Sequence, residues 1–142
     1  MAFLTKEELK TVATVQLIDK LTAADDSIVN DIIDESISLI GGYLSKYYDV
    51  QNLFAAEGAD RHLTVLKKLK DIAIYEIYER HTRETNAVAQ RRYNEAMMWL
   101  EKLNTGEFSD ATLPAILVDT DTASTKSTDM RFGGNTRFTS IY

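Results

Sequence analysis

The sequence has no cysteine, which excludes disulfides, zinc-thiolate centres and cysteine nucleophiles. It has two histidines, His62 and His81. On one continuous helix these lie roughly 28 Å apart at a rise of about 1.5 Å per residue, so they cannot share a metal ion. Nowhere do apolar residues run for the ~20 positions that a membrane span requires. The opening Met-Ala-Phe-Leu-Thr-Lys-Glu-Glu brings acids before any long apolar stretch, unlike a secretory signal, so a soluble protein of a reducing compartment is expected. Basic residues are also outnumbered, 16 against 22, leaving a net charge of −6. That balance argues against general nucleic-acid binding, whose usual footprint is a basic patch. Catalytic motifs are missing as well. There is no Gly-x-Ser-x-Gly elbow, and Gly133-Gly134 neither follows a clear strand nor opens a helix as a phosphate loop does. Asp31, Asp34 and Glu35 resemble half a carboxylate metal site, but the Glu-x-x-His partner motif is lacking and a solvated helix face accounts for them. No enzyme activity and no cofactor are expected.

What is present is helical periodicity. With 142 residues the chain is expected to form one helical unit able to bury about two thirds of its unfolded surface. The stretch Asp60–His81 organises it. Leu63, Leu66, Leu69, Ala73 and Ile77 recur at steps of three and four, and from Ile72 to Tyr78 only Glu76 is polar. A helix apolar on nearly every side is predicted to lie buried among other helices. Its pairs Glu76–Arg80 and Glu79–Arg83 are spaced to interact one turn apart.

Around it the sequence predicts two short N-terminal helices and two further long ones. Thr5 and Glu8 form a capping box, with Leu4 and Leu9 as a hydrophobic staple, opening a helix from Lys6 to about Val12. A second short helix follows over Thr14–Leu21. Asp25 or Asp26 then caps a long helix from Ser27 to about Tyr47, whose seam is Ile33, Ile37, Ile40, Leu44 and Tyr47. Gly41-Gly42 interrupts it, implying either a bend or the close approach of another backbone. Tyr47–Gly58 reads as a connector with Leu53 and Phe54 tucked beneath it. Asn86 caps the last helix, about Ala87–Leu103, and Gly106 stops it. The helical bundle is thus assigned to residues 1–110 and an extended arm to 111–142. Leu113–Val118 is a short apolar dock, and Asp119–Asp129 is Thr, Ser, Asp, Ala and Lys almost throughout, a composition that cannot fold alone. The tip carries Arg131, Phe132, Gly133, Gly134, Arg137, Phe138, Ile141 and Tyr142. Its aromatics are costly to leave in water, so the tip reads as a segment that orders on a partner.

The order Leu4-Thr-Lys-Glu-Glu-Leu9, Ile40-Gly-Gly-Tyr-Leu-Ser-Lys-Tyr-Tyr-Asp-Val50, Leu69-Lys-Asp-Ile-Ala-Ile-Tyr-Glu-Ile-Tyr78 and Arg92-Tyr-Asn-Glu-Ala-Met-Met-Trp-Leu-Glu101 resembles the helical head–tail adaptor (connector) proteins of Mu-like tailed phages. The resemblance covers about residues 3–118. It implies a non-enzymatic virion protein of the neck region, present in host cytoplasm during assembly. Such a protein assembles as a ring of about twelve copies beneath the portal, each copy needing two different sticky faces. Its implied partners are the portal protein, further copies of itself, the next neck or tail-completion protein, and genomic DNA passing through the lumen without sequence-specific binding; no membrane is implied. Arg131, Phe132, Gly133, Gly134, Arg137, Phe138, Ile141 and Tyr142 are then the expected contacts to the portal or a neighbouring subunit. The rival readings are a helical DNA-binding regulator, using Arg91, Arg92 and the lysines around Lys68, and a small cellular scaffold module.

Overall fold

A computed structural model describes residues 2–81 and 86–116, and of His81 the backbone alone. A 3-10 turn at Lys6–Thr11 leads into α1 (Val15–Thr22), α2 (Asp26–Leu44) and the short α3 (Val50–Ala55). A second 3-10 turn, Gly58–Asp60, precedes α4 (Leu63–His81), and α5 is Ala87–Thr105. The fold is an all-α bundle. Among the described residues there is no strand, and one isolated antiparallel bridge joins Tyr48 to Ala115.

Local chemistry sets the helix ends. Thr14 accepts a hydrogen bond from the Leu17 N–H, Asp25 from Ser27, Asp49 from Asn52, and Asn86 from both Val88 and Ala89. Each satisfies a donor that an uncapped helix would leave orphaned. Asp25 rather than Asp26 therefore caps α2. Gly106 closes α5 in the left-handed region at φ 81°, where a side chain would be strained. After α1 the same region is occupied by Ala23 and Ala24, at φ 55° and 59°.

α4 packs against α5, α2 and α1 at once, which is why its apolar residues have no single side. Val65, Leu66, Leu69, Ile72, Ala73, Ile74 and Ile77 are all buried. Two positions depart from the periodic reading. Leu63 lies 73 % exposed, at the edge of a groove that it lines with Thr11, Val12 and Leu66. Asp71 is 3 % exposed although it is a carboxylate. Tyr75 and Tyr78 are half-buried, and Tyr75 stacks on Tyr93 of α5 with ring centroids 4.0 Å apart.

Three further details correct or sharpen the sequence reading. The first short helix is 3-10 rather than α. The connector contains α3, whose Leu53 is buried and whose Phe54 meets Phe3 edge-on at 4.9 Å. α2 runs unbroken through Gly41-Gly42, and of the two only Gly41 is closely approached, by the Val50 side chain rather than by a backbone. A Cβ on Gly41 would stand 3.1 Å from Val50 Cγ1, whereas one on Gly42 would meet nothing within 4 Å.

Arg61 ties the start of the chain to the start of α4. Its guanidinium donates to both carboxylate oxygens of Glu8, at 3.0 and 2.7 Å, and to the carbonyls of Phe3 at 2.7 Å and Gly58 at 2.8 Å. Beyond α5, Leu113 is buried, and the Asp49 N–H donates to the Pro114 carbonyl at 2.8 Å. The chain is thereby strapped across the α2–α3 junction up to the last described residue, Ile116.

Candidate functional site

Among the described residues no three His, Asp or Glu side chains converge as a metal site. His62 is engaged structurally. Its Nδ1 accepts from the Val65 N–H at 3.3 Å, which places the proton of the neutral ring on Nε2, and Nε2 lies 2.6 Å from Thr112 Oγ1 and 3.7 Å from Asp110 Oδ2. Burial pushes the Asp110 carboxyl up, but hydrogen bonds from the Thr112 hydroxyl and N–H outweigh it and leave the group below its ordinary value. The histidine thus caps α4 and holds the chain returning from α5.

The surface carries more information than the interior. On α2, Asp31, Asp34 and Glu35 are exposed and form no ion pair among the described residues. Their negative field reaches α4. Burial raises the carboxyl of Glu76 above its ordinary value, and the charge of Glu35 raises it further. On the other side of the charge balance lies a groove of about 300 Å³ lined by Thr11, Val12, Leu63, Leu66, Lys67 and Lys70. Leu63 stands open there, while Lys67 reaches Asp71 at 3.4 Å and Lys70 reaches the Thr11 hydroxyl at 3.1 Å.

Two other concavities flank α5. Tyr47, Tyr48, Leu103, Gly106 and Phe108 enclose about 290 Å³, with Tyr47 and Phe108 both exposed. A smaller cleft of about 120 Å³ lies between Val12, α4 and the first turns of α5. Asp71 forms part of its wall, with Oδ1 lacking a hydrogen-bond partner among the described residues, and Arg92 contributes another part. A carboxylate at that depth is costly unless it is hydrated or paired.

None of the eight residues expected to meet a partner falls in the described part. Arg131, Phe132, Gly133, Gly134, Arg137, Phe138, Ile141 and Tyr142 all lie beyond Ile116, as does the remainder of the expected arm. Arg91 is exposed on α5 and sits 4.0 Å from Glu95, a charge-balanced pair one turn apart. The Leu63 groove escaped the sequence reading because helical periodicity assigned Leu63 to the core. The Tyr47 pocket joins the end of α2 to the end of α5, a pairing with no local signal.

A family model described as "Bacteriophage Mu, Gp36" matches residues 3–130. No curated protein and no solved structure matches the chain.

Proposed function

We propose a neck role from one premise: the chain belongs to the family described as Bacteriophage Mu, Gp36, and is a phage protein of Mu-like type. The function we infer is structural. The protein serves as a head–tail adaptor, forming a ring beneath the portal that extends the DNA channel and offers a surface to the next neck or tail-completion protein. The family match across residues 3–130 carries this reading. The bundle suits it physically. A rigid core leaves the outer helix faces for contacts, and those faces differ, one lined with carboxylates and one with lysines around an open leucine. A net charge of −6 also suits a conduit for DNA, since like charge discourages sticking. In this role the protein does no chemistry, needs no cofactor, and resides in the virion.

Negative-stain imaging of the purified protein, with and without portal protein, tests the proposal. Rings seated on the portal are the expected outcome. A monomer that binds no portal would instead favour a cellular scaffold module. DNA binding that weakens steeply with salt would favour the regulator.

A further inference from the structure

We propose that the Leu63 groove of one copy receives the carboxylate face of α2 from the next copy, so that these two surfaces form the contact between neighbours. The inference rests on the ring reading for why copies meet, and adds which surfaces meet.

The groove has the makings of a receptor. Its floor is apolar, from Val12 and Leu66, and Leu63 at its edge is 73 % exposed. An apolar side chain so open is stabilised by anything that covers it. The rim is cationic. Among the described residues Lys67 and Lys70 each have one hydrogen-bond partner, and an ammonium carries three donors.

The α2 face has the complementary deficit. Asp31 and Glu35 stand one turn apart as like charges, with Asp34 beside them, and no lysine or arginine occurs between Leu21 and Ser45. Glu35 also acts on Glu76 across the helix pair, adding to the effect of burial in raising its carboxyl, so the negative field of the face extends to α4. The face is low as well. Ser38 and Gly42 continue it at helical spacing, both exposed, and nothing crowds Gly42. A neighbour can therefore come close.

Neither surface suits itself. Groove against groove brings lysines together, and α2 against α2 brings carboxylates together, so a two-fold contact through either is repulsive. Only groove against α2 is attractive. That pairing is head-to-tail, the kind that closes rings.

Two full-length variants test this. Leu63→Glu with Lys70→Glu makes the groove acidic, and Asp31→Lys with Glu35→Lys makes the α2 face basic. All four positions avoid the core, and circular dichroism checks that each variant folds. Each alone is expected to lose ring formation on portal protein by more than about tenfold, because like charges then face each other. An equimolar mixture is expected to regain it, since the acidic groove of the first accepts the basic face of the second, and the unaltered groove and face complete the alternation. Native mass spectrometry would show both variants in equal number. If either folded variant forms rings alone, or the mixture fails to recover them, the assignment of these surfaces is overturned while the ring reading stands. If the unaltered protein forms no ring with or without the portal, the ring reading falls and this contact with it.

Discussion

Glu8 meets two demands with one carboxylate. It takes the Thr5 N–H at 3.0 Å to complete a capping box, and it takes both arms of Arg61. The Arg61 hydrogen bonds hold the carboxyl at about 2, against an ordinary 4.5, with the Thr5 N–H helping and burial opposing. Because the folded value is the lower one, the stabilisation is complete above about pH 4.5 and is lost as pH falls through about 2. The side chain is 31 % exposed, so after solvent screening the pair contributes about 1–2 kcal/mol. Glu8→Gln is expected to lower urea-unfolding stability by that amount at pH 7, and by progressively less as pH drops from 4.5 towards 2. A difference that stays constant with pH would mean that packing, not charge, accounts for the loss. The two halves of this arrangement differ in how far the sequence reveals them. Thr5 and Glu8 lie within one turn, so their capping box is visible as local spacing. Arg61 is 53 positions away, and only the fold brings it there.

At the scale of the element, what could be read was periodicity, and what could not was which neighbour each face meets. The long helices, the caps at Asn86 and Asp25 and the stop at Gly106 follow from signals a few residues long. α3 leaves no such signal, because its six residues bury only Leu53, too few to establish a period. Leu63 and Asp71 show the same limit on α4. One is apolar and open, the other ionisable and enclosed, because the surrounding helices decide burial and the pattern only suggests it. The two adjacent glycines of α2 separate local from tertiary cost. Alanine is favoured over glycine inside a helix by about 0.5–1 kcal/mol. Nothing opposes it at Gly42, so Gly42→Ala is expected to stabilise by that amount. At Gly41 the added carbon stands 3.1 Å from Val50 Cγ1, and α3 would have to give way by a few tenths of an ångström. Gly41→Ala is therefore expected to gain nothing. Thermal unfolding of the two variants decides the matter, and equal gains would show that α3 yields at no cost.

For the molecule as a whole, the question is what holds the bundle together and what is left over. The buried apolar residues of the described chain run from Phe3 to Leu113, and the last strap is the Asp49–Pro114 hydrogen bond with the Tyr48–Ala115 bridge beside it. The starts of α1, α2, α3 and α5 are capped from within that span. The aromatics Phe132, Phe138 and Tyr142 lie beyond the described residues. Composition alone marks those positions: a polar Thr- and Ser-rich spacer followed by a tip too apolar to leave in water. Composition can mark a segment as adhesive without saying what it adheres to, and the family match ends at residue 130, just before that tip. A truncation separates folding from attachment. Removing residues 119–142 is expected to leave the helical circular-dichroism signal and the melting temperature nearly unchanged, while attachment to portal protein is lost. Earlier melting of the truncated chain would make the segment part of the core. Retained attachment at full strength would instead put the portal contact on the bundle surface, where the Tyr47 pocket and the Leu63 groove, among the described residues, are open apolar sites to examine by substitution.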